Sequence, residues 1–293
     1  MLKDLTPQRS GDIERSGHRI QWEEFGDGEE TVLLLPTWPI VHSYFWRHEV
    51  PFLAARYRVV VFDGLGNGAS DRPTDPALYG DLLFADDAAR VLDAKGTPQA
   101  AIADVSQGGA WALAMAARHP DRVTAAIFIA ASIPLTPPHE ERQAAAQQFD
   151  QVLPEYVGWS KWNRNHWLGD YPDFLRFFFS KCFTEPGSEA QIEHFFQMGM
   201  ETTPEVLLAT VGTVEQTLGA DLARQYAARV RCPGLVVFGT EDAISRFSHG
   251  VELARLTGAR LKLMDGAGHE PRCRFPATVN DMIAAFLDGL PWR

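Results

Sequence analysis

The amino-acid sequence predicts an α/β fold with a mostly parallel central sheet flanked by helices, and two patterns carry this prediction. Short apolar runs rich in Val, Leu, Ala and Ile recur along the chain, as buried strands do when helices cover both faces of a parallel sheet. Segments with helical spacing separate these runs, so strand and helix alternate. The chain has 293 residues, 45% hydrophobic and 22% charged, which is the balance of an ordinary globular protein.

The predicted elements run from a hairpin near the N-terminus to a final helix. Residues Gly17–Phe25 and the turn Gly26–Gly28 predict an antiparallel edge hairpin that leads into the first parallel strand. The predicted parallel strands are Thr31–Leu35, Arg58–Asp63, Ala100–Val105, Ala125–Ala131, Pro233–Gly239 and Arg260–Asp265. The predicted helices are Trp46–Arg56, Gly108–Arg118, Phe247–Leu256 and Thr278–Leu287. The strand, helix, strand alternation predicts right-handed βαβ crossovers.

The alternation breaks between Pro138 and Val230, where the sequence predicts helices and loops without a strand. This third of the chain holds 14 of its 32 aromatic residues. We therefore expect one core, residues 1–137 and 231–293, interrupted by a helical lid at residues 138–230 whose aromatic side chains face an apolar pocket. The alternative is that these rings form a small core of the lid itself.

Charge and cysteine usage exclude several classes of protein. With 27 basic and 38 acidic residues the net charge is −11, so most of the surface repels a nucleic-acid backbone. Cys182, Cys232 and Cys273 lie far apart, outside the spacings of zinc or redox dithiols, and we expect reduced thiols. The sequence shows no apolar signal segment and no bilayer-length apolar run, which predicts a cytoplasmic protein without a membrane span. The oligomeric state stays open, with a homodimer among the alternatives.

Three short segments carry the candidate chemistry. Ser106 follows a predicted buried strand and precedes Gly108 and a helix, a pattern typical of a tight turn that exposes a nucleophilic hydroxyl. Asp242 and His269 each follow a later predicted strand. Ligands of open α/β sheets bind at the carboxyl ends of the strands, so these residues fall on one functional edge. Their order, Ser, Asp and His, is that of nucleophile-elbow hydrolases.

The sequence resembles enzymes of the α/β-hydrolase fold, of the lid-bearing esterase, lactonase and lipase-like type. Besides the three segments above, Phe62–Pro73 is similar to the family's Asp-x-x-Gly-x-Gly-x-Ser loop. Arg118–Val123 is similar to the loop that closes the elbow helix. The resemblance covers nearly the whole chain and implies an enzyme that needs no cofactor.

The resemblance also implies a role for each matched residue. Ser106 Oγ is the nucleophile, His269 is the base that activates it, and Asp242 orients the histidine and stabilises its imidazolium form. The backbone N–H groups of Trp38 and Gln107 form the oxyanion hole. The residues expected to line the substrate pocket are Thr37, His42, Asp104, Trp159, Trp162 and Trp167.

Two positions depart from the family pattern. Asp104 stands where the elbow usually has Gly, and Pro36-Thr37 stands where the oxyanion loop usually reads His-Gly. Asp104 is either a buried acceptor bonded to backbone amides or a charge that selects against anionic substrates. Asp104 as the nucleophile is a further alternative, but Ile102 and Ser106 then take the positions where the turn needs small residues, and the helix begins where Ser106 requires it.

Other polar residues have simpler interpretations. Glu241 is an alternative acid beside Asp242, although the Gly-x-x-Asp register favours Asp242. His249 is expected at the surface or in packing, and His166 and His194 belong to the predicted lid.

The charged and glycine-rich segments do not indicate further sites. Glu140–Arg142 is expected to be a solvated face. No group of His, Asp and Glu has metal-ligand spacing, so no metal site is expected. Gly64–Gly68 lacks the spacing of a dinucleotide fingerprint.

These observations predict a serine hydrolase that cleaves an ester, thioester or lactone of a small, largely apolar molecule through an acyl-enzyme. The same site also suits acyl transfer, C–C bond cleavage or cyclisation, because one scaffold hosts many reactions. A third class is a ligand receptor with slow turnover.

Overall fold

The computed structural model describes residues 5–211 and 217–292. Its centre is an eight-stranded sheet with the order β1-β2-β4-β3-β5-β6-β7-β8. The strands are β1 (Arg9–Arg15), β2 (His18–Phe25), β3 (Thr31–Leu34), β4 (Arg58–Phe62), β5 (Ala100–Val105), β6 (Val123–Ile129), β7 (Gly234–Gly239) and β8 (Arg260–Met264). The pairs β1–β2 and β2–β4 are antiparallel, and the other neighbouring strands are parallel. The predicted α/β class with a mostly parallel sheet is thus confirmed.

The N-terminal hairpin differs from its prediction. Strand β2 lies inside the sheet, between β1 and β4, and the edge strand is β1. The pattern of apolar residues does not predict β1, because the residues of this strand are mostly polar and exposed, as suits the edge of a sheet.

Helices cover both faces of the sheet. They are α1 (Glu49–Ala54), α2 (Asp81–Ala94), α3 (Gly108–Arg118), α4 (Glu140–Gln147), α5 (Arg164–Gly169), α6 (Tyr171–Cys182), α7 (Glu189–Gly199), α8 (Pro204–Thr210), α9 (Ala220–Ala227), α10 (Phe247–Thr257), α11 (Pro271–Arg274) and α12 (Pro276–Leu287), with short 3-10 helices at Ser43–Trp46, Pro76–Leu78 and Gly158–Lys161. Helix α1 is shorter than predicted because Pro51 is tolerated only in the first turn of a helix. Helix α2 is not among the predicted elements.

Between β6 and β7 the described chain contains helices α4 to α9 and no strand. Residues 212–216 of the predicted lid lie outside the described residues. Helix α9 packs against α3, and its buried Ala223 and Ala227 join the core that contains Trp111. The lid boundary at residue 230 therefore stays a prediction. The contacts of α9 group it with the helices that cover the sheet.

The topology determines where a site can form. Because β3 to β8 are parallel, the loops that follow β3, β5, β6, β7 and β8 all leave the same edge of the sheet. These loops contain Trp38, Ser106, Ser132, Asp242 and His269. Among the described residues, no helix is both long enough and apolar enough to cross a membrane.

Candidate active site

Ser106 occupies a strained turn between β5 and α3. Its φ is +57°, in the left-handed region that side chains with a Cβ rarely adopt. Gly108 and Gly109 make the turn sterically feasible. A Cβ at Gly108 would lie 2.6 Å from the Pro36 carbonyl oxygen, and one at Gly109 would lie 2.4 Å from the Cβ of Ala131. The backbone therefore folds closely enough beneath Ser106 to present its hydroxyl above the sheet.

Asp242 and His269 form a buried pair at the ends of β7 and β8. His269 Nδ1 lies 2.8 Å from Asp242 Oδ2. The other carboxylate oxygen of Asp242 accepts the backbone N–H groups of Ile244 and Ser245, each at 2.8 Å. An ionised Asp242 held in this way requires the proton on His269 Nδ1, which leaves Nε2 as a base. The structure brings Asp242 to the histidine, whereas the neighbouring Glu241 is exposed.

The loop that carries His269 is anchored to the segment at the end of α6. The His269 N–H donates to the Cys182 carbonyl at 3.1 Å, and the Gly268 N–H donates to Glu185 Oε1 at 2.8 Å. Thr184 Oγ1 donates to the Glu241 carbonyl at 3.3 Å. The position of His269 thus depends on residues that are about 85 positions away in the sequence.

A chain of hydrogen bonds connects Ser106 to the Asp242 loop. Ser106 Oγ lies 3.5 Å from Ser132 Oγ, which in turn is hydrogen-bonded to Ser245 Oγ. The Ser245 N–H donates to Asp242 Oδ1. Sequence reasoning missed Ser132 and Ser245, although both follow the ends of strands on the functional edge, which is the signal that identifies them.

The loop after β3 lies against the elbow. The Leu35 N–H donates to the Ala103 carbonyl at 2.9 Å, and the Pro36 carbonyl contacts Gly108, so the Trp38 segment and Ser106 are neighbours. Gln107 precedes α3, where the first N–H groups of a helix have no intrahelical acceptor. This arrangement is compatible with an oxyanion hole at Trp38 and Gln107, which stays a prediction.

A cavity of about 520 Å³ lies over Ser106. Its walls come from the loops at the sheet edge, from α4, from the 3-10 helix Gly158–Lys161 and from α6. The lining residues are Trp38, Asp81, Ser106, Gln107, Ala110, Ser132, Ile133, Pro134, Thr136, Pro138, Arg142, Gln143, Ala146, Trp159, Trp162, Phe178, Thr210, Val211, Thr217, Leu218, Ile244, Ser245 and His249.

The three expected tryptophans occupy different positions. Trp159 and Trp162 line the cavity, and the ring of Trp162 lies 5.2 Å from that of Trp38. Trp167 is fully buried behind them, with its ring 5.1 Å from Trp162 and 4.5 Å from Phe174. The aromatic cluster therefore supplies both a cavity wall and the packing that supports it.

Two more expected pocket residues lie outside the lining given by the described residues. Thr37 is buried in the loop after β3. His42 is also buried, and its Nε2 lies 3.5 Å from Glu201 Oε2. Its Nδ1 accepts the N–H of Tyr44 at 3.4 Å, so His42 caps the 3-10 helix Ser43–Trp46.

Asp104 is fully buried on β5, beneath the elbow helix. Neither carboxyl oxygen has a hydrogen-bond partner within residues 5–211 and 217–292, so the interpretation as an acceptor for backbone amides is wrong. Burial raises the pKa of Asp104 well above its usual range. Burial thus disfavours a negative charge at Asp104.

Two other polar side chains in the wall are already engaged. Asp81 accepts hydrogen bonds from Trp111 Nε1 at 2.8 Å and from the Leu218 N–H at 2.7 Å. His249 Nδ1 accepts the Thr136 N–H at 3.2 Å, and burial lowers the pKa of His249 to about 4. His249 is therefore neutral at pH 7 and lies at the cavity, not at the surface.

Arg142 also lines the cavity, so the expectation that Glu140–Arg142 is a solvated face is wrong for this residue. His166 and His194, which belong to the predicted lid, lie elsewhere: His166 Nε2 is 2.9 Å from Asp173 Oδ2, and the His194 ring packs 5.1 Å from Tyr44.

The loop that resembles the family's glycine-rich motif supports the fold. Asp63 accepts the N–H groups of Ser43 at 2.7 Å and Ala69 at 2.8 Å. A Cβ at Gly68, where φ is +63°, would collide with the Asp63 carboxylate. Asn67 donates to the carbonyls of Pro39 at 3.0 Å and Met198 at 3.2 Å. The motif thus holds the loop after β3 and the helical segment together.

Comparison with known proteins agrees with this architecture. The chain is 30% identical to the 2-hydroxymuconate semialdehyde hydrolase of Pseudomonas sp. strain CF600, over 95% of this chain and 96% of the relative. It is 29% identical to a pimeloyl-[acyl-carrier protein] methyl ester esterase of Chromobacterium violaceum, over 92% and 96% of the two chains. The solved structure of a hydrolase from Pseudomonas aeruginosa PA01 shares the fold, with a TM-score of 0.77, 24% identity and coverage of 96% and 98%.

The model of the family described as alpha/beta hydrolase fold matches residues 30–271. This span includes the strands from β3 to β8, the helical segment and all the residues of the candidate site. The chain belongs to the alpha/beta hydrolase fold family and is, like its relatives, a hydrolase.

Proposed function

We propose that this protein is a serine hydrolase that cleaves an ester, thioester or lactone bond of a small molecule through Ser106, His269 and Asp242. The observation that carries the proposal is the 2.8 Å contact between His269 Nδ1 and Asp242 Oδ2. It occurs at the sheet edge where the strained Ser106 faces a cavity. The name of the Chromobacterium relative, a methyl ester esterase, supports an ester as the bond that is cleaved.

The proposed reaction follows from the chemistry of these groups. Ser106 Oγ attacks the carbonyl carbon while His269 Nε2 accepts the hydroxyl proton, and Asp242 stabilises the imidazolium that forms. The N–H groups of Trp38 and Gln107 hold the developing oxyanion, and removing one such donor typically costs about 3 kcal/mol of transition-state stabilisation. His269 then protonates the leaving alcohol, thiol or ring oxygen. Water attacks the acyl-enzyme by the same route in reverse and restores Ser106.

The helical segment after β6 is proposed to act as a lid. The 3-10 helix Gly158–Lys161 places Trp159 in the cavity wall, Trp162 follows directly after it, and α6 adds Phe178. These rings favour an apolar portion in the substrate, because the burial of apolar area stabilises the complex by about 25 cal/mol per Å².

The test is covalent labelling and ester turnover by the wild-type protein and two serine variants. We expect a fluorophosphonate probe to label the wild type and the surface variant Ser10→Ala, and Ser106→Ala to lose both labelling and hydrolysis of 4-nitrophenyl esters. Ser10 is exposed on β1 and is the matched control. Full activity of Ser106→Ala contradicts the mechanism. Labelling without ester turnover supports acyl transfer, C–C bond cleavage or a receptor role at the same site.

A further inference from the structure

Arg142 is a half-buried cation in the wall of the cavity. It lies on α4, is only partly exposed, and contacts the open space over Ser106. Its guanidinium carbon lies 5.3 Å from the ring centre of Trp159 and 5.6 Å from that of Trp162. Burial lowers the pKa of Arg142 from its ordinary value, because the charge is poorly solvated there. An arginine nevertheless stays protonated in proteins.

The protein leaves most of the hydrogen-bonding capacity of this guanidinium unused. Nη1 donates to the Ile244 carbonyl, the one acceptor that the described residues provide for Arg142. A guanidinium has five N–H donors in a planar fork. No carboxylate of the described chain lies within salt-bridge distance of it. Asp242 is the acid that influences the Arg142 charge electrostatically. Its carboxylate oxygens are already engaged in hydrogen bonds with His269, Ile244 and Ser245.

The other titratable groups of the described cavity wall do not neutralise Arg142. Asp81 is engaged by Trp111 and Leu218, and His249 is uncharged at pH 7. A desolvated cation without a counter-charge is costly unless a ligand supplies one. The planar fork matches a carboxylate, which it can bind with two parallel hydrogen bonds.

We propose that Arg142 binds a free carboxylate of the substrate, so that the enzyme acts on an ester, thioester or lactone that also carries a carboxylate group. The inference rests on the proposed function. Trp159 and Trp162 then pack against the apolar chain between the two functional groups. The substrate keeps the apolar portion that the aromatic wall favours and has an anionic end.

The experiment compares two esters that differ in one charge, mono-(4-nitrophenyl) glutarate and its methyl ester. Wild type should hydrolyse the anionic ester with the lower KM. We expect Arg142→Met to reduce kcat/KM for the anionic ester by about 10- to 100-fold, the usual effect of losing a charge-assisted hydrogen bond, and for the neutral ester by less than about threefold. Arg142→Lys should retain part of the preference. Arg90→Met, which changes an exposed arginine on α2, should leave both rates unchanged.

Binding gives a readout that does not depend on turnover. Calorimetric titration with glutarate should show binding to wild type and to Ser106→Ala, and none to Arg142→Met, while glutaramide should bind none of them. Equal losses for both esters, or glutarate binding that survives in Arg142→Met, would overturn the proposal. If Arg142→Met does not fold, Arg142→Gln and the wild-type comparison of glutarate with glutaramide decide the question. Ester turnover that persists in Ser106→Ala contradicts the proposed function instead, and the titrations still decide the role of Arg142.

Discussion

Glu185 Oε1 accepts a hydrogen bond from the backbone N–H of Gly268 at 2.8 Å, one residue before His269. This contact joins the end of the helical segment to the loop that carries the proposed base. It makes Glu185 a positioning residue for His269, because this bond and the bond from the His269 N–H to the Cys182 carbonyl together fix the backbone of the loop.

We expect Glu185→Ala to lower kcat by about tenfold, since a displacement of a catalytic group by a fraction of an ångström is costly. Stability should fall by only about 1 kcal/mol, the usual value of one hydrogen bond. Glu185→Gln should retain most of the activity, because its amide oxygen can still accept from Gly268. Steady-state kinetics and thermal unfolding of these variants and of the exposed control Glu155→Ala measure both effects. Unchanged kcat in Glu185→Ala would argue against a positioning role.

Asp242→Asn tests the role of the acid. The amide can keep one oxygen for the N–H groups of Ile244 and Ser245, so the fold should persist. Its NH₂ group facing His269 favours the tautomer with the proton on Nε2, which removes the base. We expect kcat to fall by about 10³- to 10⁴-fold with little change in the unfolding temperature. Glu241→Gln, the exposed neighbour, serves as the control, and similar losses in both variants would contradict the assignment.

Asp104 should make stability depend on pH. Burial raises its pKa in the folded protein, so above the pKa of the unfolded chain the folded state holds a proton that the unfolded state releases. The free energy of unfolding then decreases as pH rises from the pKa of Asp104 in the unfolded chain to its higher pKa in the folded protein. Asp104→Asn cannot titrate, so its free energy of unfolding relative to that of wild type should increase between pH 5 and pH 7. Urea unfolding at both pH values measures this, with the exposed Asp121→Asn as control. A constant difference would show that Asp104 has the same pKa in both states.

Arg272 should be essential for stability. It is fully buried, lies 3.2 Å from Glu49 Oε2 and 3.0 Å from Glu270 Oε2, and its guanidinium stacks on Phe45 at 4.5 Å. We expect Arg272→Met to lower the free energy of unfolding by about 3–5 kcal/mol, because the carboxylates stay buried without a counter-charge. Arg255→Met removes an exposed ion pair with Glu252 and should change the free energy of unfolding little, because solvent screens such a pair. Comparable losses in the two variants would be inconsistent with the buried pair.

The central strands could be predicted from the sequence, whereas the edge and several helices could not. Strand β5 and helix α3 begin and end where the pattern indicates, because a strand buried on both faces is an unbroken apolar run. Strand β1 has little apolar content because one of its edges faces solvent. The short α1 reflects Pro51, which the periodicity of apolar residues does not register.

For the candidate site, sequence order identifies residues at strand ends but gives little information on the cavity wall. Ser106, Asp242 and His269 follow strands, so topology alone places them on one edge. Arg142 lies in a polar helix, and its environment comes from Trp159, Trp162 and Ile244, up to about 100 positions away. Local pattern cannot distinguish such a residue from a solvated arginine.

The anchoring of His269 to Cys182 and Glu185 also defines what can be exchanged between enzymes of this fold. A chimera that replaces the helical segment from residue 138 would alter the cavity wall and hence the substrate range. The downstream junction of the chimera has to lie before Cys182. The loop that carries His269 then keeps its hydrogen bonds to the Cys182 carbonyl and the Glu185 carboxylate. Residues 182–185 thus belong functionally with the core that carries His269, although they lie within the predicted lid, residues 138–230.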